Sequence, residues 1–516
     1  MGCDLLTDPA YLSRFGFIPS EVDAALNPDG LPIGFAVDRD FVDPETKQTY
    51  PVVGLTCAAC HTGELFYGEH AVQIEGAPAT IEVTQFQKAL GLAAAFNTTP
   101  ILRIGRYSRF EQRVLGPSAT DQEKADLKTR YDAFLAVGLK EKDVTDREHI
   151  YDNQAGFRRT DTLTRIGNQV FAADTGIDAN YAVANAPVRF PQIWDASWLS
   201  WVQYNSSIAD PLVRNIGEAL GVRALVKLSG PDATAFANSV DLPGLKTLED
   251  LLAGPGPLKG LASPKWPAVF PALDQGRVAR GGELYGQYCQ RCHLPPMKDV
   301  LADLEGFTLN KGPEPKYWEK NGLGNWFIKV TDVPMAVIGT DPHEAEDFKN
   351  RKADTGDLKQ GVVSARAGLE LVTRGIANAF FVANNIPPDQ RAAWAGGRDP
   401  QDAGVRDDLI YKARPLNGIW AVAEYLHNGS VPNLFLLLGP HAERPATFWT
   451  GSKQFDPVNV GFDTREQPGL SLFDASKPGN SNAGHEFKDG PIGNGVIGPA
   501  LSPDDRLALI EYLKSL

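Results

Sequence analysis

Cys57-Ala-Ala-Cys60-His61 returns in kind as Cys289-Gln-Arg-Cys292-His293, so four of the chain's five cysteines lie in two copies of C-x-x-C-H. The spacing suits one chemistry in particular. Two thiols add across the two vinyl groups of a porphyrin, and the adjoining histidine ligates the iron from the same side. A zinc site would draw four thiolates together and gives no reason for a histidine after each second cysteine. A thioredoxin-like redox pair gives no reason for a second copy 289 − 57 = 232 residues later. The motifs predict two covalently bound c-type haems, held by Cys57, Cys60 and His61 and by Cys289, Cys292 and His293.

Around these motifs lie 516 residues, too many for one core and enough to bury two macrocycles. Hydrophobic residues make up 43% and charged residues 22%, which places the chain among globular proteins rather than membrane or disordered ones. A formal net charge of −14 disfavours nucleic acid or an anionic membrane surface as partner. It is compatible with a cationic small redox protein as electron donor, and equally with plain solubility. No stretch approaches the roughly 20 apolar residues of a membrane span. The opening Met1-Gly2-Cys3-Asp4 has neither a basic nor an apolar leader region. Covalent haem attachment outside the cytoplasmic membrane makes a periplasmic or secreted location, with the signal peptide removed, the expectation. Leu6 stands where an N-myristoylation signal needs Ser or Thr, and Cys3 receives no role.

The clearest internal boundary is Gly254-Pro-Gly-Pro-Leu-Lys-Gly260, continued by Ser263-Pro-Lys-Trp-Pro267 and Pro271, which no regular helix can accommodate. It divides the chain into residues 1–255, a linker at 256–275 and residues 276–516, each flank with one haem motif. After the linker, residues 277–288 read as a helix delivering Cys289. At the end, Ser502-Pro503-Asp504-Asp505 supplies an N-cap, a first-turn proline and an acid, ahead of the apolar Leu507, Leu509, Ile510 and Leu513. Residues 118–150 carry a helical pattern, and residues 53–83 suggest a hairpin beside the first motif. The expected fold is mainly α with extensive loops and minor β, two cytochrome c-like haem domains in tandem.

Leu416-Asn-Gly-Ile-Trp-Ala-Val-Ala-Glu-Tyr-Leu-His-Asn-Gly-Ser430, downstream of the second motif, resembles the bacterial diheme cytochrome c peroxidase superfamily. Asn185-Ala-Pro187, Gln203-Tyr204-Asn205 and Arg214-Asn-Ile-Gly-Glu-Ala-Leu-Gly221 look like the matching first-domain region. Ile338-Gly-Thr-Asp-Pro342 and Gly479-Asn-Ser-Asn-Ala-Gly-His-Glu-Phe487 look most like the diheme rubber-oxygenase branch. The resemblance implies one haem with an open face that meets the oxidant and one six-coordinate haem that relays electrons.

The eight histidines assign these roles: after the second motif lie His343, His427, His441 and His485, whereas the first half offers only His70 and His149 beyond His61. The first haem is therefore expected to be five-coordinate and catalytic. His485 is the expected second ligand of the other iron, with His441 as the runner-up. His427 matches a histidine that relatives place at the interdomain seam. Glu218 falls where relatives carry a distal acid, suited to moving a proton during peroxide cleavage. Its competing role is an i,i+4 ion pair with Arg214. In an oxygenase-like site, Ala219 and Leu220 would line an apolar pocket instead. Tyr204 stands where relatives carry a relay tryptophan, and Trp194, Trp198 and Trp201 are nearby substitutes or core. The resemblance further implies one calcium ion, with Asn185 and the carbonyls of Val422 and Glu424 as ligands, Glu424 replacing the usual proline. The leading expectation is a periplasmic diheme peroxidase acting on hydrogen peroxide. The alternatives are a dioxygenase that uses dioxygen to cleave carbon-carbon double bonds of a polyisoprenoid, and a non-enzymatic electron carrier.

Overall fold

A computed structural model describes residues 9–98, 106–310, 312–399 and 404–516; Cys3 lies outside them. The architecture is mixed rather than mainly α. Helices predominate, but among the described residues strands form nine separate two-stranded sheets. The excess of strand over expectation has a local cause: each pair is a short clip between loops, and none assembles into a larger sheet. The hairpin Thr62–Tyr67 with His70–Glu75 follows directly on the first haem motif. No helix among the described residues is long and apolar enough to cross a membrane.

Local sequence accounts for the elements that carry the site. Helix Pro211–Gly221 starts where the Asp210 side chain accepts from the Leu212 amide, with proline in the first turn. Helix Ala365–Ala383 is capped by Ser364 and buries Leu369, Val372, Ile376 and Phe381 against Ile216 and Leu220. Helix Gln275–Tyr288 delivers the second motif and crosses the C-terminal helix Pro503–Ser515, itself capped by Ser502. Gly281 permits this crossing, since a Cβ there would sit 2.0 Å from the Ala508 carbonyl oxygen. Tyr285 and Tyr512 pack alongside, ring centres 5.2 Å apart.

Two large apolar clusters result, each drawing on both sides of residues 256–275. One joins Ile166–Leu242 to Leu294–Val405; the other joins Leu65, Ile74 and Trp194 to Phe270–Leu513. The Pro/Gly-rich segment contributes to the second. Phe270 stacks on Phe455 at 5.3 Å and meets Tyr67 edge-on at 5.3 Å, while Trp266 packs against Trp420 at 5.4 Å. A smaller cluster of Phe15, Phe17, Ile81 and Phe86 backs the first motif at Ala59.

Candidate haem site

Both C-x-x-C-H motifs wind into a single helical turn, His61 N donating to the Cys57 carbonyl at 3.0 Å and His293 N to that of Cys289 at 2.9 Å. Burial pushes the Cys60 and Cys289 thiols up to about 12, the reverse of the depressed thiol in a redox pair. The two histidines are held alike. His61 Nδ1 lies 2.9 Å from the Pro191 carbonyl and His293 Nδ1 2.9 Å from that of Arg414. Such a bond fixes the ring and frees Nε2 for a metal. Burial lowers His61 to about 4 and lowers His293 as well, keeping both imidazoles in the neutral, ligating form.

The residues that hold these rings belong to an internal repeat with a constant offset, 414 − 191 = 431 − 208 = 223. Asp195 and Gly418 each take positive φ (63° and 68°) before a 3-10 turn. Gln203 and Leu426 repeat it at 64° and 61°, Ser206 and Gly429 at 57° and 67°. The bridge Val202–Ile208 is matched by Tyr425–Val431. Arg414 ties the copies together, donating to the carbonyls of Gln192 (2.7 Å) and Trp194 (2.8 Å), next to Pro191.

One cavity of about 460 Å³ is lined by cysteines and histidines of both motifs. Beside the first it is walled by Arg214, Asn215, Glu218 and Gln203 on the polar side and by Leu199, Val202 and Leu252 on the apolar side. Arg214 forms a close ion pair with Glu249, which also accepts from Asn215 at 3.2 Å, so the expected alternative pairing of Arg214 with Glu218 is not made. Glu218 instead has the Gln203 side chain in hydrogen-bonding reach, and burial raises its carboxyl above the usual range. Leu220, expected to line a pocket in an oxygenase-like site, is fully buried in the core and, like Ala219, does not reach this cavity. Two residues beyond Glu218 on a helix point the opposite way.

Beside the second motif, His485 faces His293 with ring centres 6.2 Å apart at 64°. A metal joined to two imidazoles by bonds of about 2 Å sets the ring centres roughly 6 Å apart, so the pair fits a six-coordinate iron. Burial lowers His485 to about 3. Its loop is locked: His485 N donates to the Ile338 carbonyl at 3.0 Å, and Arg444 donates to the carbonyls of Gly484 and His485 at 2.8 and 3.0 Å. Gly484 has φ 75°, and a Cβ there would meet Gly339 at 2.4 Å.

The other histidines, His427 apart, lie elsewhere. His441 Nε2 is tied to Asn482 Oδ1 at 2.7 Å, and His343 Nδ1 to Asp341 Oδ1 at 2.8 Å. His149 is exposed, with Nδ1 2.7 Å from Asp152, and His70 is an exposed strand residue. His427 stacks on Tyr411 at 4.3 Å, with Tyr204 6.2 Å away, and all three line the cavity. Tyr204 is half-buried, its hydroxyl buried without a hydrogen-bond partner. Trp194 and Trp198 donate to the carbonyls of Asn417 and Ala253, and Trp201 lies under Arg406; none of the three lines the cavity.

One of the three donors named for calcium is already taken. Asn185 Oδ1 is buried without a partner. The Val422 carbonyl, however, accepts from Arg189 at 2.9 Å. A guanidinium thus stands where one of the three expected bonds to the cation would form. Among the described residues, no three His, Cys, Asp or Glu side chains converge as a metal site.

Residues 410–450 match a family described as RoxA-like, cytochrome c-like. This stretch supplies Tyr411, Arg414 and His427 to the cavity wall, and a domain of this kind carries covalent haem c. A protein of Sinorhizobium fredii strain NGR234, described as uncharacterized protein y4iJ, is 42% identical over 533 aligned residues, spanning 98% of this chain and 84% of its own length. A second from the same strain, y4iM, is 39% identical over 347 aligned residues and 63% of each chain.

Proposed function

The chain belongs to the family of the Sinorhizobium fredii protein y4iJ and carries a RoxA-like cytochrome c segment, and on that footing we propose a haem oxidoreductase that reduces hydrogen peroxide. In this reading Cys57, Cys60 and His61 would hold a catalytic haem c, with Glu218 lining the cavity beside it. Cys289, Cys292, His293 and His485 would hold a second haem c, whose chemistry would be to pass on electrons from a small redox protein. The haem iron supplies redox chemistry and a binding position for the oxidant.

The chain's own residues do the rest. Glu218 takes a proton from one peroxide oxygen and returns it to the other, which a carboxyl raised by burial does better than a fully solvated one. Gln203 orients that carboxyl, and Arg214, neutralised by Glu249, adds a fixed positive edge. Tyr204, Tyr411 and His427 form an aromatic wall within the same cavity as both motifs. The observation that carries the reading is Glu218, aimed at the cavity beside Cys57 with no ion-pair partner. The test is peroxide consumption by the holoprotein with a reduced one-electron donor. Glu218→Gln is expected to lower kcat at least about 100-fold with KM for peroxide little changed; wild-type rates in that variant overturn the reading.

The match at residues 410–450 favours a second reading, a dioxygenase cleaving double bonds of an apolar polyisoprenoid. Leu199, Val202 and Leu252 are its apolar contacts. Dioxygen uptake with latex and no peroxide consumption would decide for it.

A further inference from the structure

Each peroxide reduced to two waters takes up two electrons, delivered here by a reduced carrier of the cytochrome class, and two protons, which must reach the cavity from solvent. Glu344 lines a smaller cavity and stands behind Tyr411 and Lys412, which line the haem cavity. It is 5% exposed and neither carboxylate oxygen has a hydrogen-bond partner. On one side it lines a small cavity of about 20 Å³ with Asp161, Asp347 and Arg351, room for about one water molecule. On the other it neighbours Tyr411 and Lys412, both of which line the haem cavity. Asp347, one helical turn along in His343–Asn350, is half-buried, with its Oδ2 buried and unpartnered.

The geometry points to a proton-entry path that runs from solvent at Asp347 through the water-sized cavity to Glu344, and from there past Tyr411 and Lys412 into the haem cavity. It rests on the reading of this protein as a peroxide reductase.

An unpartnered buried carboxyl is costly unless it is neutral or has a use. Burial and Asp161 raise Glu344 to about 8, and burial raises Asp347 to about 6, so the acid nearer solvent is the stronger. Lys412 is pushed well below its ordinary value by burial and then by Arg414, with Glu344 opposing and Arg214 adding to the fall. The charged and titratable groups around Glu344 are Asp161 ahead of helix Thr162–Gly167, Asp347 and Arg351 on its own segment, Tyr411 and Lys412 on strand Ile410–Ala413, and Tyr204 across the cavity.

The deciding experiment is infrared difference spectroscopy of the holoprotein on reduction, in light and heavy water, for the wild type, Glu344→Gln and Glu344→Asp. A protonated-carboxyl band is expected in the wild type. It should shift in heavy water, respond to reduction, vanish in Glu344→Gln and return displaced in Glu344→Asp. A band indifferent to reduction, or unchanged in Glu344→Gln, overturns the path. In turnover, Glu344→Gln is expected to lower kcat about tenfold with KM for peroxide unchanged and a larger solvent isotope effect; an unaltered pH profile again overturns it. Should the wild type consume no peroxide, the function reading fails and the infrared comparison alone decides the path.

Discussion

Arg214 gives its guanidinium to Glu249 and not to Glu218, one turn along its own helix. The pair is nearly buried, so breaking it from one side leaves an uncompensated charge. Glu249→Gln is expected to cost about 3 kcal/mol in denaturant unfolding. It also removes a negative neighbour of Glu218 and frees Arg214 to approach it, both of which lower the Glu218 carboxyl. The acid limb of kcat/KM for peroxide should move to lower pH; a limb that stays put dissociates Glu249 from the acid's tuning.

The facing of His293 and His485 gives a spectroscopic prediction. His485→Ala is expected to convert one ferric low-spin electron paramagnetic resonance signal to high spin, whereas His441→Ala leaves both signals as they were. The reverse result would transfer the ligand role to His441.

Gly484 carries the same prediction into the backbone. Alanine there must adopt left-handed φ, at a cost of about 1–2 kcal/mol, and its Cβ would strike Gly339. Gly484→Ala should shift His485 and weaken the low-spin signal, whereas alanine at Gly469, whose φ is also positive but which has nothing within 4 Å, should cost stability alone.

Glu344 makes stability depend on pH with a definite sign. A carboxyl held above its ordinary value binds its proton more tightly in the folded chain. It therefore adds stability that is full below about pH 4 and is lost as pH rises to about 8. The stability difference between wild type and Glu344→Gln should fall by up to about 1.4 kcal/mol per pH unit from about pH 5 to about pH 8. Lys412, held below its ordinary value, contributes the opposite slope, so the comparison is between proteins and not between pH values in one protein. A flat difference would show Glu344 ionised throughout.

Features set by local chemistry were legible in the sequence. The spacing of Cys57, Cys60 and His61, the cap at Ser502 and the helix delivering Cys289 each depend on neighbours a few residues apart. The facing of His485 on His293 was legible only through the resemblance around Gly484. Other features were hidden because they depend on distant partners. Glu249 reaches Arg214 from 35 residues away, and no spacing rule announces it. Leu220 turned to the core, since helical phase sets it roughly opposite Glu218. The repeat joining residues 191–208 to 414–431 is written in backbone angles more than in side chains. Asn205 with Asn428 and Ser207 with Ser430 are identical, but the left-handed corners pair Asp195 with Gly418 and Gln203 with Leu426.

Arg414 offers its carbonyl to His293 and its guanidinium to the strip of chain whose Pro191 steadies His61. Neither proximal imidazole can tilt without straining the other's anchor. If each ring holds a haem iron, as proposed, such a yoke would keep both inner coordination shells stiff, and stiffness of that kind lowers the nuclear rearrangement that slows an electron's hop.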